Sequence, residues 1–376
     1  IKEKLNAKTP YIFCLISLGD ENIKQSFNDE FLGSIQVPEN DEDFVILKTN
    51  RIPTYHFAHV IDDYLMKTTF VIRGSEWLSS LGKHIELWKS LDFPIPKYGH
   101  IAPINKKDGN SVRKLSKRKD PEANIMKYIE QGYTTESIVG YLYRLANPSF
   151  DDWWKSPSRT SVWDFPFSIK ELQKSGPGPL IDVKKLDDIS SDVVAMMKAS
   201  EVADRMIVWA KAYDTNFADV ISKERKYLED ILNIERDHKN PRKDIINWSV
   251  GKESIYYFFD SLFVIENVKK VMVDEKIYTV FQEISKELLE YISTDKFYVS
   301  ESLEEWLSEI KVLADKLRFA TDKNKMKENP DKYRGDFATF MKILRLAVTG
   351  TNRTPNLFYV LKVMGKDRVV NRIKSL

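Results

Sequence analysis

From Ile181 to Leu376 the apolar residues recur at helical spacing in one segment after another, and this pattern constrains the fold more than any other feature. Val193–Tyr213, Phe217–Ile234, Lys252–Phe263, Tyr278–Ile292 and Leu303–Phe319 each read as a helix. Near the end, Thr354 is the expected cap of a helix built on Leu357, Val360 and Leu361, Pro355 suits its first position, and Gly365 closes it. Helices with no strands between them must bury their apolar stripes against one another.

The first third is different. Residues 1–50 mix short apolar runs, Tyr11 to Leu18 and Phe44 to Leu47, with acidic loops, and predict short antiparallel or mixed strands. Tyr55 to Met66 has a helical period, Thr68 to Gly74 reads as a strand ending in glycine, and Glu76 to Leu91 as a second helix. Strand, turn and helix in that order predict an α/β sheet, with a ligand beyond the strand's carboxyl end, where Arg73 and Glu76 lie. Asn105 to Arg113 reads as a polar loop. Two short helices, Asn124–Glu130 and Glu136–Leu145, follow across a turn at Gly132, with Thr135 as cap. Asn147 to Gly178, rich in Pro, Ser, Gly and Trp, reads as an irregular insert.

Composition narrows the classes. The 376 residues are 42% hydrophobic and 12% aromatic, enough to bury a core in two or three domains. The net charge of +2 leaves a nucleic-acid partner open, because local patches set the field. Cys14 is the only cysteine, which excludes a disulfide framework or thiolate metal site and fits a reducing, cytoplasmic setting. No apolar run is long enough to span a bilayer.

Lys114-Leu115-Ser116-Lys117-Arg118-Lys119 is the densest chemical signal: four cations and a hydroxyl before Asp120-Pro121-Glu122, which reads as a helix start. Such a loop can hold a polyphosphate and stabilise charge building on a phosphoryl group. Basic runs are also common as solvated loops. His56 and His59 with Asp62 and Asp63 could ligate a metal, mark one polar helix face, or, with Tyr55, line a small-molecule pocket facing Arg73. Arg73 could clamp a carboxylate bidentately, or form a surface salt bridge with Asp62 or Asp63. Trp77 is expected to pack rather than stack on a ligand. Arg368, Arg372 and Lys374 read as a solvated face, or as a salt-sensitive nucleic-acid contact.

Taken in order, these pieces resemble a family. Pro53 to Ala58, Val60 to Asp63, Val71 to Leu78, Lys83 to Leu87 and Lys114 to Lys119, followed by Glu130 to Glu136, Asp182 to Leu186, Leu344 to Gly350 and Pro355 to Phe358, resemble the bacterial glutamyl-tRNA synthetases of class I. The resemblance implies a Rossmann-like α/β catalytic fold, here its second half, followed by an all-α stem-contact and anticodon-binding region. It implies that Lys114 to Lys119 is the KMSKS loop. Lys114 and Lys117 would be catalytic; with Leu115, Ser116, Glu76 and Ile104 they would bind ATP. Tyr55, His59 and Arg73 would bind glutamate. ATP with its magnesium, glutamate and tRNA(Glu) are the implied partners, for a cytoplasmic monomer with no membrane contact and no metal ligands of its own.

Departures accompany the match. His59 and Ser190 stand where the family has Asn, Ala102-Pro103 interrupts the strand before Ile104, and Trp153, Trp154 and Trp163 lie in an unaligned insert. No His-x-Gly-His motif occurs, and His100-Ile101-Ala102 is only an echo of it. The expectation is therefore a C-terminal fragment, inactive alone. It would hold a remnant of the acceptor-binding insert (1–52), the C-terminal half of the catalytic domain (53–105), the KMSKS and stem-contact region (106–192) and the anticodon-binding domain (193–376). The alternative is a non-catalytic tRNA-binding module. A glutaminyl-tRNA synthetase, ending in β-barrels, and a glutamyl-queuosine-type paralogue, lacking an anticodon domain, fit the helical half less well.

Overall fold

A computed structural model describes residues 6, 10–157, 159–172, 178–236, 241–294, 300–322, 326 and 330–376. Parts of the expected segments 1–52 and 147–178 therefore lie outside the described residues. The chain forms two compact units, one of residues 1–124 and 139–183, the other of residues 125–138 and 184–376.

The first unit is built on a four-stranded mixed sheet. Strands β1 (Phe13–Leu15), β2 (Lys24–Asp29), β3 (Gly33–Pro38) and β4 (Phe44–Leu47) precede helix α1 (Tyr55–Leu65), followed by β5 (Phe70–Gly74), helix α2 (Leu81–Ser90) and β6 (Lys97–Ile101). The sheet order is β3-β2-β6-β5; β2 and β3 are antiparallel, whereas β6 runs parallel to both β2 and β5. β1 and β4 form a separate antiparallel pair. Strands from both sides of residue 52 thus share one sheet.

Two apolar stripes on α2 explain its position. Leu81 and Ile85 pack with Val37 and Tyr98 of the sheet, while Leu87 and Trp88 pack with Val60 of α1. Burying each large side chain contributes about 1.5–3 kcal/mol. The helix expected from Glu76 begins instead as a 3-10 segment, Ser75–Ser80, a tighter winding common at helix starts.

The expected loop after Asn105 is a hairpin of β7 (Asn105–Asp108) and β8 (Ser111–Lys114). Its two-residue turn requires a left-handed residue, and Gly109 supplies it at φ +60°. The insert from Asn147 forms a local aromatic core. Phe150 is fully buried, stacks on Trp154 with ring centroids 5.6 Å apart and meets Phe165 edge-on. Trp163 stays half exposed.

The second unit is almost wholly helical. Val183–Met196, Ala199–Tyr213, Thr215–Lys223, Arg225–Asn233, Tyr278–Ile292, Leu303–Lys316 and Phe337–Thr349 are among its helices. One continuous apolar core runs from Val194 to Ile373. A two-residue parallel pair, Phe319–Ala320 with Gly335–Asp336, is its only strand pairing among the described residues. Two caps differ from expectation. The Ser137 amide donates to Thr134 rather than Thr135, and the last-but-one helix, Leu357–Met364, is capped by Asn356 rather than Thr354. Asn and Thr satisfy orphan amides equally well, so the side chain nearest the first turn takes the role.

The C-terminal cations are not a solvated face. Arg372 is 3% exposed; it donates to Asp260 at 2.8 Å and to the Val348 carbonyl at 2.8 Å, and lies 3.9 Å over the Phe263 ring. Arg368 pairs with Asp260 and Glu224 and covers Tyr227. Both guanidinium groups pin the last helix, Lys366–Ser375, to the helical core, so of the three basic residues Lys374 alone is exposed.

Candidate active site

The parallel register of β5 and β6 sets Arg73 beside His100 and Gly74 beside Ile101. Parallel strands bring their carboxyl ends to one edge, where an α/β sheet leaves room for ligands. Arg73 is half-buried. Its Nε donates to His100 Nε2 at 2.9 Å, one terminal nitrogen contacts His84 Nδ1 at 2.9 Å, and the other reaches the Trp77 carbonyl at 3.5 Å. Its carbon lies 4.8 Å over the Tyr98 ring. No carboxylate forms an ion pair with it among the described residues. Asp63 pairs instead with His59 at 2.7 Å, which overturns the surface-bridge reading of Arg73.

Hydrogen-bond direction follows from chemistry. Arginine has donors only, so His100 Nε2 and His84 Nδ1 must both accept. His84 Nε2 then carries the proton toward His56 Nδ1, 2.9 Å away. Beside it, Trp88 donates to the Tyr98 hydroxyl at 2.9 Å, and Tyr98 donates to His59 Nε2 at 2.8 Å. Four of the chain's five histidines thus surround one guanidinium. The Tyr55 ring, half exposed, stacks on His59 and lies 4.4 Å from Trp77. Trp77 therefore packs on an aromatic neighbour, as its position in the first turn suggested.

Burial pushes the protonation of all four histidines below the ordinary value. For His84 burial, then the Arg73 charge, takes it down to about 2. For His59 and His100, the carboxylates of Asp63 and Asp29 oppose burial without overcoming it. For His56, burial is aided by the charges of Lys83 and Arg73. Burial also lowers Arg73 and pushes Tyr98 up to about 12. In the unfolded chain these histidines bind a proton below about pH 6.5. Their stabilisation is therefore full above that value and is lost as pH falls toward 2, where His84 itself titrates. Urea unfolding should show stability falling below pH 6.5, by up to about 1.4 kcal/mol per pH unit for each histidine involved. A flat profile from pH 7 to 5 would contradict the neutral network.

Next to Arg73 opens a cleft of about 340 Å³, lined by Arg73, Gly74, Glu76, Ile101–Ile104, Lys114, Leu115, Lys117 and Ala123. The hairpin shapes this wall. The Leu115 amide donates to the Ile104 carbonyl at 2.9 Å, so the basic run starts against Ile104. Asp120 braces the turn, accepting both terminal nitrogens of Arg113 and the Ser116 amide at 2.8 Å. These bonds hold its carboxyl well below the usual range. Lys114 pairs with Glu76, whose carboxyl is lowered although burial opposes the charge. Lys117 is exposed at the lip and forms no ion pair among the described residues.

The cleft thus unites six residues singled out from sequence: Arg73, Glu76, Ile104, Lys114, Leu115 and Lys117. Tyr55 and His59 join Arg73 through the ring cluster, and Ser116 supplies a braced backbone amide. Four residues that hold Arg73 escaped sequence reasoning: Asp29, His84, Tyr98 and His100. Their one available signal was polar or amphipathic side chains within apolar strand and helix patterns. Among the described residues no group of three or more His, Cys, Asp or Glu is arranged to hold a metal ion. His56 and His59 turn to His84 and Asp63 instead.

A family model for the class I tRNA synthetases (E and Q), catalytic domain, matches residues 3–151, and an anticodon-binding domain model matches residues 201–376. The glutamate–tRNA ligase of Clostridium perfringens strain 13 is 37% identical over 372 residues, covering 99% of this chain and 67% of that protein. This chain belongs to the glutamate–tRNA ligase family. A further member from Acetivibrio thermocellus is 34% identical over 376 residues, covering 100% of this chain and 67% of the relative. A crystal structure of a glutamate–tRNA ligase from Elizabethkingia meningosepticum shares the fold, with a TM-score of 0.64 at 21% identity, over 100% of this chain and 69% of that one. The chain spans about two thirds of the curated relatives it matches, 66% for the C. perfringens SM101 protein.

Within this ligase family member, Tyr55 to Lys119 lies wholly inside the catalytic-domain match, and the helical core from Val202 onward lies inside the anticodon-domain match. Ser190 is buried; its hydroxyl donates to the Ile246 carbonyl and lies 2.8 Å from the Ser137 hydroxyl, from which it can accept. Tyr133 bonds Asp187 at 2.5 Å, tying the turn after Gly132 to the helix beginning at Val183. Among the described residues, no helix is long and apolar enough to cross a membrane.

Proposed function

We propose that the protein carrying this chain attaches glutamate to tRNA with ATP, through glutamyl-adenylate. The observation that carries this reading is Arg73: a half-buried guanidinium, held by neutral imidazoles, beside the cleft bearing Lys114 and Lys117. A cation held without a carboxylate partner is a receptor for one. Glutamate's carboxylate would take the terminal nitrogens of Arg73, displacing the long contact to the Trp77 carbonyl, with Tyr55 and His59 walling the pocket. ATP, with its magnesium, would lie along Glu76, Ile104 and Leu115.

In the reaction the substrate's other carboxylate attacks the α-phosphate and pyrophosphate leaves. Lys114 and Lys117 hold the phosphates as charge moves onto the leaving group. An incoming polyphosphate competes with Glu76 for the Lys114 ammonium. A hydroxyl of the terminal ribose of tRNA then attacks the glutamyl carbonyl and AMP leaves; the helical unit would bind the tRNA backbone. The proposed protein acts as a cytoplasmic monomer. Catalysis by alignment and charge needs no acid–base dyad.

The test is ATP-dependent attachment of labelled glutamate to tRNA by the protein carrying this chain. Attachment of glutamate supports the reading; exclusive attachment of another amino acid contradicts it. Binding of tRNA that persists without any attachment would favour the tRNA-binding module.

A further inference from the structure

Asp29 closes β2 and His100 lies on β6, 71 residues apart in sequence, yet both are almost completely buried. Asp29 Oδ1 accepts three backbone amides, those of Phe31 at 3.0 Å, Leu32 at 2.9 Å and His100 at 3.2 Å. Its Oδ2 contacts His100 Nδ1 at 2.6 Å. The opposite ring nitrogen receives Arg73 Nε at 2.9 Å. Carboxylate, imidazole and guanidinium therefore form one line from the sheet to the cleft.

We propose that Asp29 and His100 are positioning residues for Arg73: the buried carboxylate fixes His100 as the Nδ1–H tautomer, leaving Nε2 bare to aim the guanidinium. This rests on the reading of Arg73 as the receptor for glutamate's carboxylate. Without Asp29, the imidazole is free to present Nε2–H, and two donors then oppose each other. With it, Arg73 keeps its charge undivided for the ligand, because the group steering it is neutral. Orientation of a buried binding group through an outer partner is worth a large factor in affinity. The charged and titratable groups around His100 are Asp29, Arg73, His84, Tyr98 and Glu76, and in the described contacts Arg73 is the one donor to Nε2.

The substitution Asp29→Asn tests this with little change of shape. Three amides hold the acceptor oxygen at the Oδ1 position, so the new amide nitrogen falls at Oδ2 and points a donor at His100. The ring must then flip its proton to Nε2. Long-range proton–nitrogen NMR of the full chain should show Nδ1–H at His100 in the native protein and Nε2–H in Asp29→Asn. The Arg73 Nε–H signal should be protected in the first and lost in the second. Calorimetric affinity for L-glutamate should fall roughly tenfold or more in Asp29→Asn and in His100→Leu. His100→Gln, whose amide can bridge Asp29 and Arg73, should restore it.

A native Nε2–H ring, an imidazolium at neutral pH, or full glutamate affinity with the flipped tautomer would overturn the proposal. Should the native tautomer and the Arg73 signal behave as stated while the native protein binds no glutamate, the ligand assignment fails and the brace stands.

Discussion

Replacing Arg73 by Lys should weaken glutamate binding by about 100-fold or more, on the order of 3 kcal/mol. The guanidinium uses its planar fork twice. Nε and one terminal nitrogen reach His100 and His84, and the second terminal nitrogen makes only a long contact with the Trp77 carbonyl at 3.5 Å. An ammonium has three donors at one point, so it cannot hold both imidazoles and also present two parallel donors. The two histidines would be left as buried acceptors without a donor, which adds to the loss. Calorimetric titration with L-glutamate measures it. Unchanged affinity in Arg73→Lys would remove Arg73 from the binding site.

Lys117→Ala should reduce the rate of glutamate-dependent ATP activation by roughly 10²–10³-fold while leaving tRNA affinity nearly unchanged. The asymmetry with Lys114 is the reason. Lys114 is already paired with Glu76, whereas Lys117 stands exposed at the lip with no ion pair among the described residues. Its full charge is available when the leaving pyrophosphate develops charge. ATP–pyrophosphate exchange reads the first effect, and filter binding of tRNA at fixed salt reads the second. Equal losses in both would show that Lys117 grips tRNA rather than ATP.

The cleft was legible in sequence where its residues are local. Arg73, Glu76 and the Lys114–Lys119 run sit at a strand end, a helix start and a loop, places with turn signals and a physical reason to carry charge. The brace behind Arg73 was not legible. Asp29 and His100 meet only because β2, β6 and β5 lie side by side, and in sequence His100-Ile101-Ala102 stands out only as an echo of a His-x-Gly-His motif. The hairpin before Lys114 was read as a loop because its strands are lysine-rich and poorly alternating. Its Gly109-Asn110 pair was the available hairpin signal. Arg368 and Arg372 misled for the same reason as Asp29. Their partner Asp260 lies more than 100 residues away, and nothing in a helical period distinguishes a buried cation from a solvated one.

Glutamate and ATP are proposed to meet at the carboxyl ends of β5 and β6. The most direct measurement is a crystal structure of the protein carrying this chain with L-glutamate and a non-hydrolysable ATP analogue. A glutamate carboxylate should lie on the terminal nitrogens of Arg73, with Nε still bound to His100 and phosphate oxygens within reach of Lys114 and Lys117. Glutamate bound elsewhere, for instance in the cleft of about 590 Å³ lined by Asp63, Lys67 and Lys97, with Arg73 contacting protein alone, would contradict it.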